Sequence, residues 1–88
     1  MERLTDMPNI GAVLAEKLCL AGIETPADLE RLGSVEALRR VQQASSEDLP
    51  CRSMLCALEG AIRGVRWHGI PLVERDELWR RYRSQSNQ

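Results

Sequence analysis

The 88-residue chain has no phenylalanine and only three aromatic side chains, Trp67, Trp79 and Tyr82. Its core is therefore expected to be built from Leu, Ile, Val, Ala and Met. No apolar stretch approaches the roughly 18 residues of a membrane span. Met1-Glu2-Arg3 is followed by no apolar run, so no signal peptide is expected. The three cysteines, Cys19, Cys51 and Cys56, are odd in number and form no CxxC pair. That spacing argues against a disulfide framework and a zinc site, and for a reduced, cytoplasmic protein with small core or half-buried thiols. His68 is the sole histidine. A metal would need further ligands, and catalysis would need a nucleophile arranged with it. No such constellation is visible, so no enzyme, metal, cofactor or small-molecule substrate is expected. His68 reads instead as a helix-end residue favoured by the local dipole. Sustained apolar/polar alternation is also missing, which leaves strands without a signal.

What is present is helical. A hydrophobic content of 43% and a charged content of 28% fit a globular chain. One domain spanning 1–88 is expected, with its core at about 4–83 and a polar tail at 84–88. A chain this short buries roughly 60–65% of the surface it exposes when unfolded, enough for one modest core. The net charge of −1 hides an asymmetry. Residues 1–50 carry five basic and nine acidic side chains, and residues 51–88 carry seven and four. Any basic footprint for a nucleic acid therefore lies in the second half.

Five helices are predicted. The first runs from Ile10 to Ala21, with Ile10, Val13, Leu14, Leu18 and Ala21 on one face and Gly22 as its stop. Thr25-Pro26 starts the second, Thr25 as cap and Pro26 at the first position, with Asp28 completing a short-armed capping box. It ends at Gly33. Ser34 caps the third, to Gln43, with Val35, Leu38 and Val41 inward. Ala44–Pro50 is a polar connection. The longest helix runs from Cys51 to Trp67, burying Met54, Leu55, Leu58, Ala61, Ile62 and Val65. Gly60 and Gly64 each cost about 1 kcal/mol there relative to Ala, which points to close approach by a neighbouring helix. Gly69 and Pro71 end it. The last helix, Glu74–Arg83, presents Leu78, Trp79 and Tyr82.

Pro8-Asn9-Ile10-Gly11 before a helix, then Gly22-Ile23 and a second short helix, resembles the helix-hairpin-helix pattern. In that pattern a Gly-rich turn aims backbone N–H groups at a DNA phosphate. Asn9 stands where the pattern has glycine, and asparagine tolerates left-handed geometry. Asn9, Ile10, Gly11 and Lys17 are the phosphate candidates, although Asp6 and Glu16 oppose a polyanion. A longer match adds Leu29-Glu30-Arg31-Leu32-Gly33-Ser34-Val35-Glu36-Ala37. It continues with Leu58-Glu59-Gly60-Ala61-Ile62-Arg63-Gly64-Val65-Arg66-Trp67-His68. Together these segments resemble the C-terminal domain of the TfoX (Sxy) competence-regulator family over about Leu4–Arg83. The resemblance implies a compact all-α bundle with a helix-hairpin-helix-like (SAM-like) N-terminal half. Longer members join this domain to an N-terminal one, so the chain is expected to be a stand-alone copy or an excised piece.

Two function classes follow. The first is a regulatory domain that binds the DNA backbone or a DNA-associated protein through Arg63, Arg66, Arg75, Arg80, Arg81 and Arg83. The second is a protein-interaction or homodimerisation domain that uses Gly60, Gly64, Trp67, Trp79 and Tyr82. A separately encoded N-terminal TfoX-like domain is one partner to consider; a membrane is not. Glu59–Arg63 at i,i+4 reads equally well as an ordinary surface pair.

Overall fold

The computed structural model describes residues 3–44 and 52–86, with side chains through residue 84. The expected 45–50 connection and Cys51 lie outside the described residues. Four α-helices appear among the described residues, which contain no strand: α1 (Ala12–Leu20), α2 (Pro26–Ala44), α3 (Arg52–Arg63) and α4 (Leu72–Ser86). Two 3-10 turns, Leu4–Asp6 and Trp67–Gly69, complete the architecture. The all-α expectation holds, but the count of five helices does not. The predicted second and third helices follow one another within α2, and the break predicted at Gly33 is present: φ there is 82° and ψ 165°, so two helical stretches meet across a kink. That backbone region is open essentially to glycine alone.

The Thr25/Asp28 reading of the α2 start is seen in the hydrogen bonds. The Asp28 amide donates to Thr25 Oγ1 at 3.1 Å, and the Thr25 amide donates back to Asp28 Oδ2 at 3.3 Å. Both glycine stops share one geometry. Gly22 and Gly64 have φ of 84° and 77°. The amides of Ile23 and Val65 reach back to the Leu18 and Gly60 carbonyls, each at 2.9 Å. These are Schellman closures. The second stops α3 at Arg63 instead of the expected Trp67 and leaves Val65 42% exposed. Helix α1 begins two residues later than expected because Met7–Ile10 closes a turn first. The Ile10 amide donates to the Met7 carbonyl, Pro8 sits at the second position, and Asn9 at the third has φ 70°. This is the type II pattern, in which asparagine substitutes for glycine. Helix α4 starts at Leu72, just after Pro71, and runs beyond the predicted Arg83.

Helix α2 packs chiefly on α3, and α1 and α4 lean on this pair. The centre is aliphatic: Leu18, Ile23, Leu29, Leu38, Leu55 and Leu58 are fully buried. Val35, Leu38 and Val41 face inward as expected; Leu78 and Tyr82 of α4 are buried too, although Tyr82 is expected on an interaction face. Trp79 stacks on Tyr82 with ring centroids 5.6 Å apart. Truncating one of the fully buried leucines to alanine costs about 2–5 kcal/mol. Val13, placed inward by periodicity, is 70% exposed, and of the thiols expected in or near the core Cys56 is buried as expected while Cys19 is exposed. Ser34 caps no helix through its hydroxyl; it is buried and donates to Glu59 Oε1 at 2.7 Å.

Candidate functional site

Helix α1 is apolar around nearly its whole circumference. Seven of its nine residues are Ala, Val, Leu or Cys, yet only Leu18 is buried. A helix of that composition is normally covered on all sides. Here Val13 and Leu20, seven residues apart and so on one stripe, are 70% and 71% exposed. Beside the first turn of α1 lies an open groove of about 630 Å³, bounded by Gly11, Val13, Met54, Ala57, Arg66 and Trp67, with Asn9, Leu14, Lys17 and Ser53 also in its wall. Among the described residues the lining holds no carboxylate.

Asn9 fixes the geometry of this groove. Its Nδ2 donates to the Val65 carbonyl at 2.9 Å and to the Ala57 carbonyl at 3.4 Å, and its Oδ1 accepts from the Trp67 amide at 3.2 Å. One carboxamide thus ties the turn before α1 to the end of α3 and to the 3-10 turn. Gly60 makes room for it: a Cβ there would lie 2.5 Å from Asn9 Nδ2 and 2.6 Å from the Val65 oxygen. The predicted close approach at Gly60 therefore exists, but a side chain and a carbonyl make it, not a neighbouring helix. Gly64 serves the helix stop, with open space around it. Sequence reasoning recognised the left-handed tolerance of Asn9. It missed the bracket, whose partners lie 48 to 58 residues away.

Trp67 is held from three sides. Its amide is bound to Asn9, the Arg75 guanidinium lies 5.6 Å from its ring centroid, and the His68 ring meets it edge-on at 5.6 Å. Arg75 is itself anchored by its Nε donating to the Ile70 carbonyl at 2.9 Å. A fixed aromatic that stays 38% exposed is the type of side chain that anchors protein contacts.

Of the phosphate candidates, Asn9 spends its side chain inside the fold, and Ile10 is buried. Gly11 is the N-cap of α1, where no side chain caps the helix, and Lys17 lines the groove. The basic candidates divide. Arg63 binds Glu59 at 2.7 Å and Glu74 at 2.8 Å, which holds its pKa above the ordinary arginine value. Arg80 pairs with Glu77 at 3.3 Å, and Arg75 is committed to Ile70 and Trp67. Arg66 and the α4 residues Arg81 and Arg83 are exposed, and Arg66 borders the groove. Trp79 and Tyr82 pack on the core and lie outside that lining. No group of three or more metal-ligating side chains occurs among the described residues. No described helix is long and apolar enough to cross a membrane.

Three comparisons place this architecture among known proteins. Residues 1–82 match the family of the TfoX C-terminal domain. Protein Sxy of Escherichia coli (strain K12) is 36% identical over 77 residues, covering 88% of this chain. The chain spans about a third of that relative, 36% of its length. Two solved structures of proteins from Listeria monocytogenes share the fold. One, of an uncharacterized protein in a triclinic form, has TM-score 0.84 at 43% identity and covers 96% of this chain and 93% of that one. The other, of a protein of unknown function in a tetragonal form, has TM-score 0.82 at 44% identity and covers 93% and 98%.

Proposed function

The chain belongs to the TfoX C-terminal domain family, and on that footing we propose that it is a non-enzymatic regulatory domain of the competence-regulator type that works by docking another protein. The observation that carries this reading is the groove beside α1, apolar along most of its wall, with a fixed and exposed Trp67 at its edge. Val13 and Leu20 extend the apolar surface along α1. Peptide grooves of this kind take an amphipathic segment through a few apolar anchors. In a two-domain relative the preceding domain would be one such partner; for a stand-alone copy the partner would be a separate chain.

Contact with the DNA backbone is the second reading. It is favoured by the N-terminus of α1, where the Pro8–Gly11 turn resembles a helix-hairpin-helix turn and no side chain caps the helix. Helix N-termini attract phosphate. The reading is weakened by the commitment of Arg63, Arg75 and Arg80 elsewhere, since polyanion binding draws on several available cations.

A chimera tests the two together. The chain replaces the matching segment of E. coli Sxy, and expression of competence genes is measured in cells lacking the native protein. Docking predicts that the chimera works, that Ala57→Arg, which fills the groove, abolishes activity, and that Arg80→Ala/Arg81→Ala leaves it intact. The reverse pattern, together with duplex binding that weakens steeply between about 50 and 200 mM salt, would establish the DNA reading. An inactive chimera, with the parent protein active, would remove the competence role from this chain.

A further inference from the structure

We propose that the segment docked in the groove is acidic as well as apolar: it seats a bulky apolar side chain against Trp67, Met54 and Val13 and sets a neighbouring Asp or Glu against Arg66. This rests on the docking reading and adds the chemistry of the partner. The argument is charge complementarity. Among the described residues the groove is lined by Arg66 and Lys17 and by no Asp or Glu. Many cations of this chain stand beside carboxylates: Arg31 with Asp28, Arg39 and Arg40 with Glu36, Arg52 with Asp76, Arg63 with Glu59 and Glu74, Arg80 with Glu77. Arg66, Arg75, Arg81 and Arg83 are not so paired among the described residues, and of these four Arg66 is the one in the groove wall.

The N-terminal end of α1 opens into the same groove, with Gly11 and Ala12 in the wall and no side chain capping it. Its positive end adds to the field of Arg66. A carboxylate arriving here meets a guanidinium and helix amides together, beside a mostly apolar wall. A charge-assisted bond to a guanidinium is about twice as strong as a neutral one. One or two cations suit a single carboxylate; a polyanion would need a longer basic track. The apolar lining has no use for a phosphate, whereas it receives the Leu, Ile or Phe of an amphipathic segment.

The test uses the whole chain as bait for a peptide-display library, with selected sequences then made as synthetic peptides. Asp or Glu is expected within one helical turn of a bulky apolar residue in the selected set. Titration is expected to move the amide resonances of Gly11, Ala12 and Val13 and the indole resonance of Trp67. Arg66→Glu is expected to weaken binding at least tenfold. A peptide whose carboxylate is changed to Lys is expected to recover binding to that variant. The Arg66 side chain is exposed and makes no hydrogen bond or ion pair among the described residues, so the variant should keep its urea midpoint; Arg66→Gln, with an intermediate loss, guards against a global effect.

The outcomes separate the two levels. Peptides that move the groove resonances but ignore the charge of residue 66 overturn the acidic partner and leave docking standing. A library that yields no peptide, or peptides that move resonances elsewhere, overturns docking itself. A duplex oligonucleotide that moves the same resonances, and is lost steeply with salt, reassigns the groove to nucleic acid and overturns the proposal.

Discussion

The two sides of this small bundle handle polarity in opposite ways. On the α2–α3–α4 side, charges are consumed by one another. Ser34 of α2 donates to Glu59 of α3 at 2.7 Å, Glu59 accepts from Arg63 at 2.7 Å, and Arg63 reaches Glu74 of α4 at 2.8 Å. Three helices are joined by one chain of charge-assisted bonds. On the α1 side a neutral side chain, Asn9, makes the joint, and the groove beside it is mostly apolar and, among the described residues, lined by no carboxylate. Six of the eleven arginines, Arg31, Arg39, Arg40, Arg52, Arg63 and Arg80, stand beside acids, so a surplus of arginine in the sequence does not translate directly into a basic surface. The groove proposed for a partner lies on the other side.

The largest effects should come from breaking the neutral joint. Asn9→Ala removes the carboxamide bonds and puts a Cβ-bearing residue without a polar side chain at φ 70°. At about 0.5–1.5 kcal/mol for each of the three bonds, with roughly 1 kcal/mol for the left-handed backbone, the expected loss is about 2.5–5.5 kcal/mol. Asn9→Gly keeps the backbone and should lose less, about 1.5–4.5 kcal/mol. Gly60→Ala should cost about 1–3 kcal/mol, because its Cβ would meet both the Asn9 amide and the Val65 carbonyl. In the Asn9→Gly background part of that penalty disappears, since the Asn9 contact is gone while the Val65 contact remains. Urea unfolding of the single and double variants measures the coupling, and strict additivity would mean that the two residues do not share this site.

Next comes the charged side. Glu59→Ala leaves the buried Ser34 hydroxyl without its acceptor and strips Arg63 of one of its two partners, at an expected cost of about 2 kcal/mol. Glu59→Gln keeps an acceptor for Ser34 and should cost about half as much. Raising salt should narrow the gap between wild type and Glu59→Gln and leave the Asn9 variants unmoved, because salt screens ion pairs and not neutral bonds. Equal salt responses on both sides would erase the contrast.

How far the sequence reveals each side follows from the reach of the interactions. The caps and stops are local: Thr25 with Asp28, and Gly22, act within one turn and are legible, whereas Gly64, read as an interior glycine of a helix running to Trp67, is a stop that sequence reasoning missed. The inward stripe of α3, where Leu55, Leu58 and Ala61 recur at helical spacing, is legible as well. Helix α1 is not legible in the same way. With apolar residues on every side, periodicity cannot say which stripe meets the core, so Val13 is misplaced. The groove depends on residues 9, 57 and 67 converging, and the pairing of Arg52 with Asp76 spans 24 positions. A charge tally by halves sees seven bases and four acids after residue 50. It cannot see that Arg52, Arg63 and Arg80 have acids beside them.

The smallest expected effect is a pH signature confined to the charged side. Hydrogen bonds from Arg39 and then Arg40 hold the Glu36 carboxyl down to about 2, from an ordinary value of 4.5. A carboxyl that ionises more readily in the folded state stabilises that state once it is charged. Its contribution is complete above about pH 4.5, declines as the pH falls, and is gone below about 2. Asp28, lowered by the Glu24 amide and the Thr25 hydroxyl, acts in the same direction. The arginine side chains at Glu36 are 37% and 45% exposed, so solvent screening limits the pairs to less than about 1 kcal/mol. Glu36→Gln should therefore be slightly less stable than wild type at pH 6, with the difference closing between pH 4.5 and 2 when urea midpoints are compared. Asn9→Ala carries no titrating change, so its deficit should stay constant over the same range. A deficit that closed in both variants would show that acid acts on the whole bundle, and that the division into a charged side and a neutral side does not govern its stability.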